Sequence, residues 1–179
     1  MVKLINSTSG LALFMLLFSA ACSAAAPAQP PEANTYNDPF AYCAAVGTID
    51  APNARYTGSK MPDSVIQGLI ARGVVSADAP PDFQKNAVWR CMDAHVWACH
   101  FGANLPCLEK ADMSQVPTPE MQDYCKANPG ADVIPAVVTG RATVYEWKCS
   151  SGKAEAARQV LQVDPQGFLA DFWYELPAK

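Results

Sequence analysis

The tripeptide Trp-x-Cys occurs three times in the chain, as Trp89-Arg90-Cys91, Trp97-Ala98-Cys99 and Trp147-Lys148-Cys149. In an extended strand, alternate side chains point to the same face, so each copy places an indole beside a sulfur. Such a strand packs a large aromatic ring against a cystine on its inner face. We therefore expect the three segments to be core strands of a small domain stapled by disulfides.

The cysteine count supports disulfide bonding. One of the seven cysteines lies in an apolar N-terminal segment, and the other six form an even set. An even set in an exported protein favours three disulfides and no free thiol, although sequence alone does not choose the pairing. The six disulfide candidates are Cys43, Cys91, Cys99, Cys107, Cys125 and Cys149.

The N-terminal segment has the composition of an export signal. Lys3 precedes the apolar run Leu11 to Phe18, which is too short for a permanent membrane span. The segment Ala20-Ala21-Cys22 resembles the lipobox of bacterial lipoprotein precursors, although Ser19 stands where leucine is usual. The resemblance implies a signal peptide over residues 1–21 and a lipid on Cys22 that attaches the protein to a membrane.

Two alternatives to lipidation stay open. The segment Ala26-Pro27-Ala28 would suit simple secretion with cleavage before Gln29, and an uncleaved segment would act as a retained anchor. Residues 22–37 are rich in Ala and Pro and have no hydrophobic period, which predicts a disordered tether after the lipidated cysteine. Residues 38–179 then form a single domain. The expected location is the periplasm, with lipid anchoring to the outer membrane, or otherwise the exterior.

Three short helices are expected in the domain. Asp38 and Pro39 are typical of a helix start, and Gly47 of its end. A second amphipathic helix is expected from about Asp63 to Arg72. Thr118 with Pro119 begins a third, which ends near Asn128.

A hairpin is predicted from Val88–Asp93 and His95–Phe101. A three-residue loop would place each indole opposite the sulfur of the other strand, with both Trp-x-Cys pairs on one face. A two-residue loop would split the two pairs between the faces. We expect the first register.

The C-terminal part of the chain predicts a three-strand meander. Its strands are expected at Arg141–Cys149, near Arg158–Asp164, and at Phe168–Leu176, with turns at Ser150–Lys153 and Asp164–Gly167. The segment Val133–Thr139 is β-branched, but its proline restricts it to an edge or irregular strand. The expected fold is α+β: a small antiparallel sheet of about five strands, hairpin plus meander, with three short helices.

Composition and motifs restrict the function. The net charge of −4 and the absence of a basic cluster argue against nucleic-acid binding. The two histidines, His95 and His100, lack the close ligand spacing of zinc sites, so we expect no metal, cofactor or catalytic residue. Common hydrolase and nucleotide motifs are missing. The sequence favours a non-enzymatic binding module for a protein or glycan; the alternative is an exported enzyme, such as a cell-wall or glycan hydrolase.

The region after the tether resembles small exported bacterial proteins through its Trp-x-Cys segments and its ending, Gly167 to Tyr174. That resemblance implies export and no particular activity. A weaker similarity is to bacterial lysozyme-inhibitor lipoproteins, which are small antiparallel β-domains with disulfides behind a lipobox. It implies partner binding in the envelope, but no inhibitory residue, because the loop motifs of those inhibitors have no match here.

Trp173 is the expected partner contact. In a strand over Phe168–Leu176 the even positions are apolar, so a period of two places Trp173 on the outer face between Asp171 and Glu175. An exposed indole flanked by carboxylates suits a basic or carbohydrate partner. The alternative is that a helix, such as Asp63 to Arg72, covers this face and buries the ring.

Overall fold

The computed structural model of the chain describes residues 34–102 and 105–178. Within these ranges the protein is α+β, with antiparallel sheets of three and two strands, which confirms the expected fold class. The proposed signal peptide and the lipidation site at Cys22 lie outside the described residues. The elements are α1 (Pro39–Val46), α2 (Asp63–Ala71), α3 (Pro81–Gln84), β1 (Ala87–Met92), β2 (His95–His100), α4 (Pro119–Ala127), α5 (Ala136–Thr139), β3 (Tyr145–Ser150), β4 (Lys153–Gln159) and β5 (Tyr174–Leu176).

The three expected helices are present, and α1 and α4 have the expected caps. The carboxylate of Asp38 accepts a hydrogen bond from the N–H of Ala41 at 2.8 Å, and Gly47 ends α1 at a φ of 79°. The hydroxyl of Thr118 caps α4 by accepting from the N–H of Met121. Local sequence therefore determines these helix ends.

Two further helices, α3 and α5, were not expected. Each has four residues and follows a proline, Pro80 or Pro135, that sets the first turn. Helix α5 replaces the irregular strand expected over Val133–Thr139. Val137 of this helix is 91% exposed, whereas Val138 packs against a core cluster, so β-branching here does not reflect strand pairing.

The hairpin of β1 and β2 has the register that we did not expect. Asp93 and Ala94 both adopt positive φ angles, 53° and 66°, and form a two-residue loop. Trp89 therefore pairs with Ala98 and not with Cys99. The two Trp-x-Cys segments of the hairpin consequently face opposite sides of the sheet.

The C-terminal strands do not form one meander. Strands β3 and β4 form a hairpin around Ser151-Gly152, and β4 begins five residues before the expected strand near Arg158–Asp164 and overlaps only its first two residues. Strand β5 is short and pairs with β2, so the larger sheet has the order β1-β2-β5. Leu176 of β5 is buried against Gly68 of α2. This long-range packing, which no local pattern encodes, explains the pairing.

Each Trp-x-Cys segment supplies a separate core cluster. Trp89 and Cys91 lie on one face of the larger sheet and pack against α1 and α2. Cys99 lies in a cluster on the opposite face, against which Trp97 packs, and the third segment lies under α4. The disulfides, one in each cluster, are Cys43–Cys91, Cys99–Cys107 and Cys125–Cys149.

The pairing of all six domain cysteines confirms the expected disulfide set. Three disulfides in a chain of this size indicate an oxidising compartment and hence an exported protein. In the described ranges no helix has the length and apolar character needed to cross a membrane.

Residues 34–37 belong to the folded domain, so the expected tether over 22–37 is too long. The N–H of Tyr36 donates to the carbonyl of Arg55 at 2.8 Å, and Tyr36 bridges to Tyr56. Its ring also meets that of Tyr42 edge-on, with centroids 6.4 Å apart. An aromatic side chain that reaches the core explains why composition alone misplaced the boundary.

Candidate functional site

A buried arginine lies at the centre of one face of the larger sheet. Arg90 is fully buried, and its guanidinium forms an ion pair with Asp164. It also donates to the side-chain carbonyl of Gln166 at 2.8 Å, while its Nε has no partner among the described residues. We call this side of the sheet the cleft face, and the side covered by α1 and α2 the helical face.

Two aromatic rings enclose the guanidinium of Arg90. The guanidinium carbon lies 4.4 Å from the ring centroid of Phe168 and 4.2 Å from that of Trp173. The two centroids are 5.3 Å apart. Stacking on aromatic rings in addition to the ion pair is the arrangement for which arginine is suited, and it stabilises a charge that is shielded from water.

The outer-face position expected for Trp173 is wrong, because only 6% of the residue is exposed. Residues Ala170–Phe172 form a turn of 3₁₀-helix, which interrupts the period of two before β5 begins. Burial was the alternative expectation, but the ring is covered by Arg90 and Phe168 instead of α2. Trp173 still lines a cleft, described below.

The two carboxylates expected beside Trp173 have separate partners. Asp171 accepts from the N–H of Gln162 at 2.9 Å. Glu175 pairs with His95 at 2.8 Å, and both of these side chains are largely exposed. The structure therefore does not gather Asp171, Trp173 and Glu175 into one acidic aromatic surface.

A second polar network joins the cleft face to the loop after α1. Lys110 pairs with Asp50 at 2.6 Å, and the side-chain amide of Gln166 donates to the other oxygen of Asp50 at 2.8 Å. The ammonium of Lys110 also lies 3.7 Å from the centroid of Phe168. These contacts link three distant segments of the chain and hold the aromatic residues in place.

Beside these residues lies an apolar cleft of about 320 Å³. A second cavity of about 450 Å³ shares part of its lining. Leu108, which is 70% exposed, lies at the mouth of both. We call the two together the edge groove, since the residues common to both lie along β1 and beside it: Lys60, Ala87, Val88 and Leu108.

The backbone of β1 has an unpaired edge along this groove. Cys91 exchanges two hydrogen bonds with Ile49, at 3.0 and 3.1 Å, on the side away from β2. The backbone groups of every second residue point to the same side of a strand. The N–H and C=O of Trp89, two residues before Cys91, therefore also point away from β2. Within the described ranges no backbone group pairs with Trp89 on that side.

A more open cleft of about 590 Å³ lies between α5 and β3. Of the described residues that line it, Glu146 is the one carboxylate, and it is paired with Arg158 at 3.2 Å. The hydrogen bond from Arg158 holds the pKa of Glu146 below its usual value. A single, ion-paired carboxylate does not provide the acid and base that glycoside hydrolysis uses.

The histidines lie in separate environments. His95 is exposed beside Glu175, whereas the ring nitrogen Nε2 of the buried His100 lies 2.7 Å from the carbonyl oxygen of Phe83. In the part of the chain that the structure describes, no group of three or more His, Cys, Asp or Glu side chains could hold a metal ion.

Comparison of the chain with protein-family models, with curated proteins and with solved structures finds no match. The functional argument therefore rests on the geometry of the cleft face.

Sequence reasoning missed Arg90 and the edge groove. The one available signal was a charged residue at the centre of a Trp-x-Cys strand, flanked by apolar positions on both sides.

Proposed function

We propose that the protein is a non-enzymatic binding module of the cell envelope, which binds a protein or glycan partner in the edge groove. The observation that carries this proposal is the apolar cleft of about 320 Å³ beside Trp173 and Phe168, with lysines at its rim. Concave apolar sites with a few polar groups at defined positions are the usual form of ligand sites.

The walls of the cleft are held in place by covalent and ionic contacts. Cys107, which lines the cleft, is bonded to Cys99 of β2, and this bond restrains the neighbouring Leu108. Trp173 is held by its stacking on Arg90. A site that is already ordered loses less conformational entropy when its partner binds, which favours affinity.

The proposed location is the periplasm, with the domain attached to the outer membrane by a lipid on Cys22. The export indicated by the disulfides and the resemblance of Ala20-Ala21-Cys22 to a lipobox support this location. The intact mass of the mature protein tests it. We expect an acylated N-terminus at Cys22, and an unmodified N-terminus at Gln29 would contradict lipidation.

The alternative, an exported hydrolase, has no specific support from the described residues. The cleft beside α5 contains one carboxylate, and the edge groove contains one, Asp50, which is engaged by Lys110 and Gln166. Binding therefore accounts better for the geometry than catalysis.

The test compares two substitutions of exposed apolar residues. Leu108→Asp introduces a charge at the mouth of the cleft, whereas Val116→Asp does so at a residue that is 77% exposed and does not line it. The oxidised protein and both variants are assayed against arrays of peptides and of envelope glycans. We expect Leu108→Asp to weaken binding by about tenfold or more, because a charge in an apolar contact loses its hydration.

Both variants should keep the melting temperature of the wild type, since surface substitutions change stability little. Val116→Asp should also keep the affinity. A ligand that binds Leu108→Asp as tightly as the wild type would show that the edge groove is not the binding site.

A further inference from the structure

We propose that the edge groove takes an extended acidic peptide segment, whose main chain pairs with the backbone of Trp89 on the outer edge of β1. This inference rests on the proposed function and specifies the partner of the same site. It is carried by three independent features of the groove: unpaired backbone groups, a side-chain cavity and the charge of the rim.

The backbone of β1 provides the template for an added strand. Ile49 already pairs with Cys91 through two hydrogen bonds, so this edge of β1 accepts an antiparallel neighbour. Ala51, which the antiparallel register would place opposite Trp89, makes no backbone hydrogen bond with it, so the pairing of the neighbouring chain ends at Ile49. The N–H and C=O of Trp89, which lines the cleft, thus have no backbone partner among the described residues and can pair with one residue of an extended peptide.

The cleft of about 320 Å³ lies directly beside this unpaired stretch, since Val88 and Trp89 line it. Side chains alternate along a strand. One large apolar side chain of an added strand would enter the cleft between Leu108 and Phe168, and its neighbours would point toward the rim at Lys60. In this arrangement the hydrogen bonds of the main chain supply affinity and the cleft supplies selectivity, as in known cases of strand addition.

The charge of the rim favours an acidic segment. Three lysines line the edge groove, Lys60, Lys85 and Lys110, against a single carboxylate, Asp50. Asp50 is neutralised by Lys110, whereas Lys60 and Lys85 are exposed and form no ion pair with a described residue. A positive rim on a chain whose net charge is −4 marks this surface as complementary to anionic partners.

The same geometry favours a peptide over a glycan. Sugar rings stack on exposed faces of aromatic side chains, but Trp173 is only 6% exposed and its ring is engaged by Arg90 and Phe168. Unpaired backbone groups next to a narrow apolar cleft are instead the features that recognise an extended main chain.

The first test uses a phage-displayed library of random linear peptides, selected on the oxidised full mature protein. We expect the enriched peptides to carry several Asp or Glu residues around one large apolar residue. Synthetic copies with single N-methylated amides then probe the main chain. Since the backbone of Trp89 offers one C=O to a bound main chain, methylation should weaken binding by about tenfold at the amide that donates to it and little at the neighbouring amides.

The second test reverses the rim charge. Lys60→Glu and Lys85→Glu should each weaken binding of the selected acidic peptide by about tenfold, because an attraction becomes a repulsion. Lys148→Glu, at an exposed position of β3 that does not line the groove, is the matched control and should bind as the wild type. Melting temperatures of all three variants should stay close to that of the wild type.

The outcomes separate this inference from the proposed function. If glycans or neutral peptides bind and Leu108→Asp abolishes their binding, the binding site stands and the acidic-peptide inference fails. If acidic peptides bind and no single N-methylated amide weakens binding, main-chain pairing with Trp89 fails. If no peptide is enriched and no array ligand depends on Leu108, both proposals fail.

Discussion

The two faces of the β1–β2 hairpin are built from alternate residues of the same strands, but they are closed in different ways. On the helical face Trp89 and Val96 are covered by α1 and α2, and the cluster is entirely apolar or aromatic. On the cleft face none of the α-helices in the described ranges covers Arg90. Two segments cover this face instead, a loop around Cys107 and the stretch from Asp164 to Trp173, which contacts Arg90.

The difference shows how one hairpin can provide a closed core on one face and a binding cleft on the other. A helix laid across a sheet fills its surface continuously, and burial of apolar area is then the main source of stability. Both faces have a disulfide, but loops fill a surface incompletely, so the cleft face is held by an ion pair in addition and retains a cavity. Substitutions on each face can therefore measure how far stability and the binding site are divided between the two faces.

The largest expected effect is the loss of a buried indole from either face. Trp89→Ala and Trp173→Ala should each lower the free energy of unfolding by about 3–5 kcal/mol, because both rings are almost completely buried. Urea unfolding of the oxidised variants measures this. Tyr174→Ala, next to Trp173 but 37% exposed, is the control and should cost less. A nearly unchanged stability for Trp173→Ala would mean that this ring is available to partners.

The disulfides of the two faces should differ in their contribution. Cys43–Cys91 spans 48 residues on the helical face, whereas Cys99–Cys107 spans eight on the cleft face. Because a longer loop loses more entropy on closure, replacing both cysteines by alanine should cost about 4 kcal/mol for the first pair and about 2.5 kcal/mol for the second.

Chemical unfolding of the two double variants under oxidising conditions tests this order. Removal of Cys125–Cys149, which spans 24 residues, should lower the free energy of unfolding by an intermediate amount, about 3.5 kcal/mol. A larger loss for the short loop would show that its disulfide stabilises the cleft face through native packing.

The buried charge of the cleft face should be the next most sensitive position. Arg90→Met keeps the length of the side chain and its packing on the aromatic rings, but leaves the carboxylate of Asp164 without its cation. We expect a loss of about 3 kcal/mol, since removing one partner of a buried ion pair strands the other charge.

The matched control for Arg90→Met is Arg158→Met, which breaks the exposed ion pair with Glu146. No measurable change is expected there, because water screens that pair. If both substitutions had similarly small effects, the ion pair of Arg90 would not be what closes the cleft face.

Local chemistry made several elements predictable. Asp38 and Thr118 cap their helices through their own side chains, and Gly47 occupies the positive φ that ends α1. The parity of the cysteines likewise predicted complete disulfide bonding. Such features depend on residues close in sequence or on a count, so the sequence displays them directly.

Features without a recognisable local signal, and features that depend on distant residues, were predicted poorly. The loop of the hairpin places Ala94 at a positive φ, where glycine or asparagine is the usual signal, so the register was missed. The burial of Arg90 depends on Asp164 and Phe168, which lie more than seventy residues away. The edge groove combines segments from Asp50 to Trp173, and no local pattern indicates that they meet.

The smallest expected effect concerns a polar group on the helical face. The hydroxyl of Tyr56 is buried without a hydrogen-bond partner among the described residues, next to the rings of Tyr42 and Trp89. Tyr56→Phe should therefore raise the free energy of unfolding by about 1 kcal/mol, because it removes an unsatisfied polar group. Tyr42→Phe is the control. It should destabilise, because the hydroxyl of Tyr42 accepts from the N–H of Asn53 at 3.0 Å.

The same hydroxyl predicts how the helical face responds to alkali. Burial, together with the charge of Asp38, raises the pKa of Tyr56 in the folded protein. The unfolded chain then loses this proton first as the pH rises above about 10, so the folded state loses stability through this interval. Tyr56→Phe lacks that loss, and its advantage over the wild type should grow with pH when both are unfolded in urea. An advantage that stays constant or shrinks would mean that the hydroxyl is hydrated in the folded state, and that the helical face is less completely closed than its apolar cluster indicates.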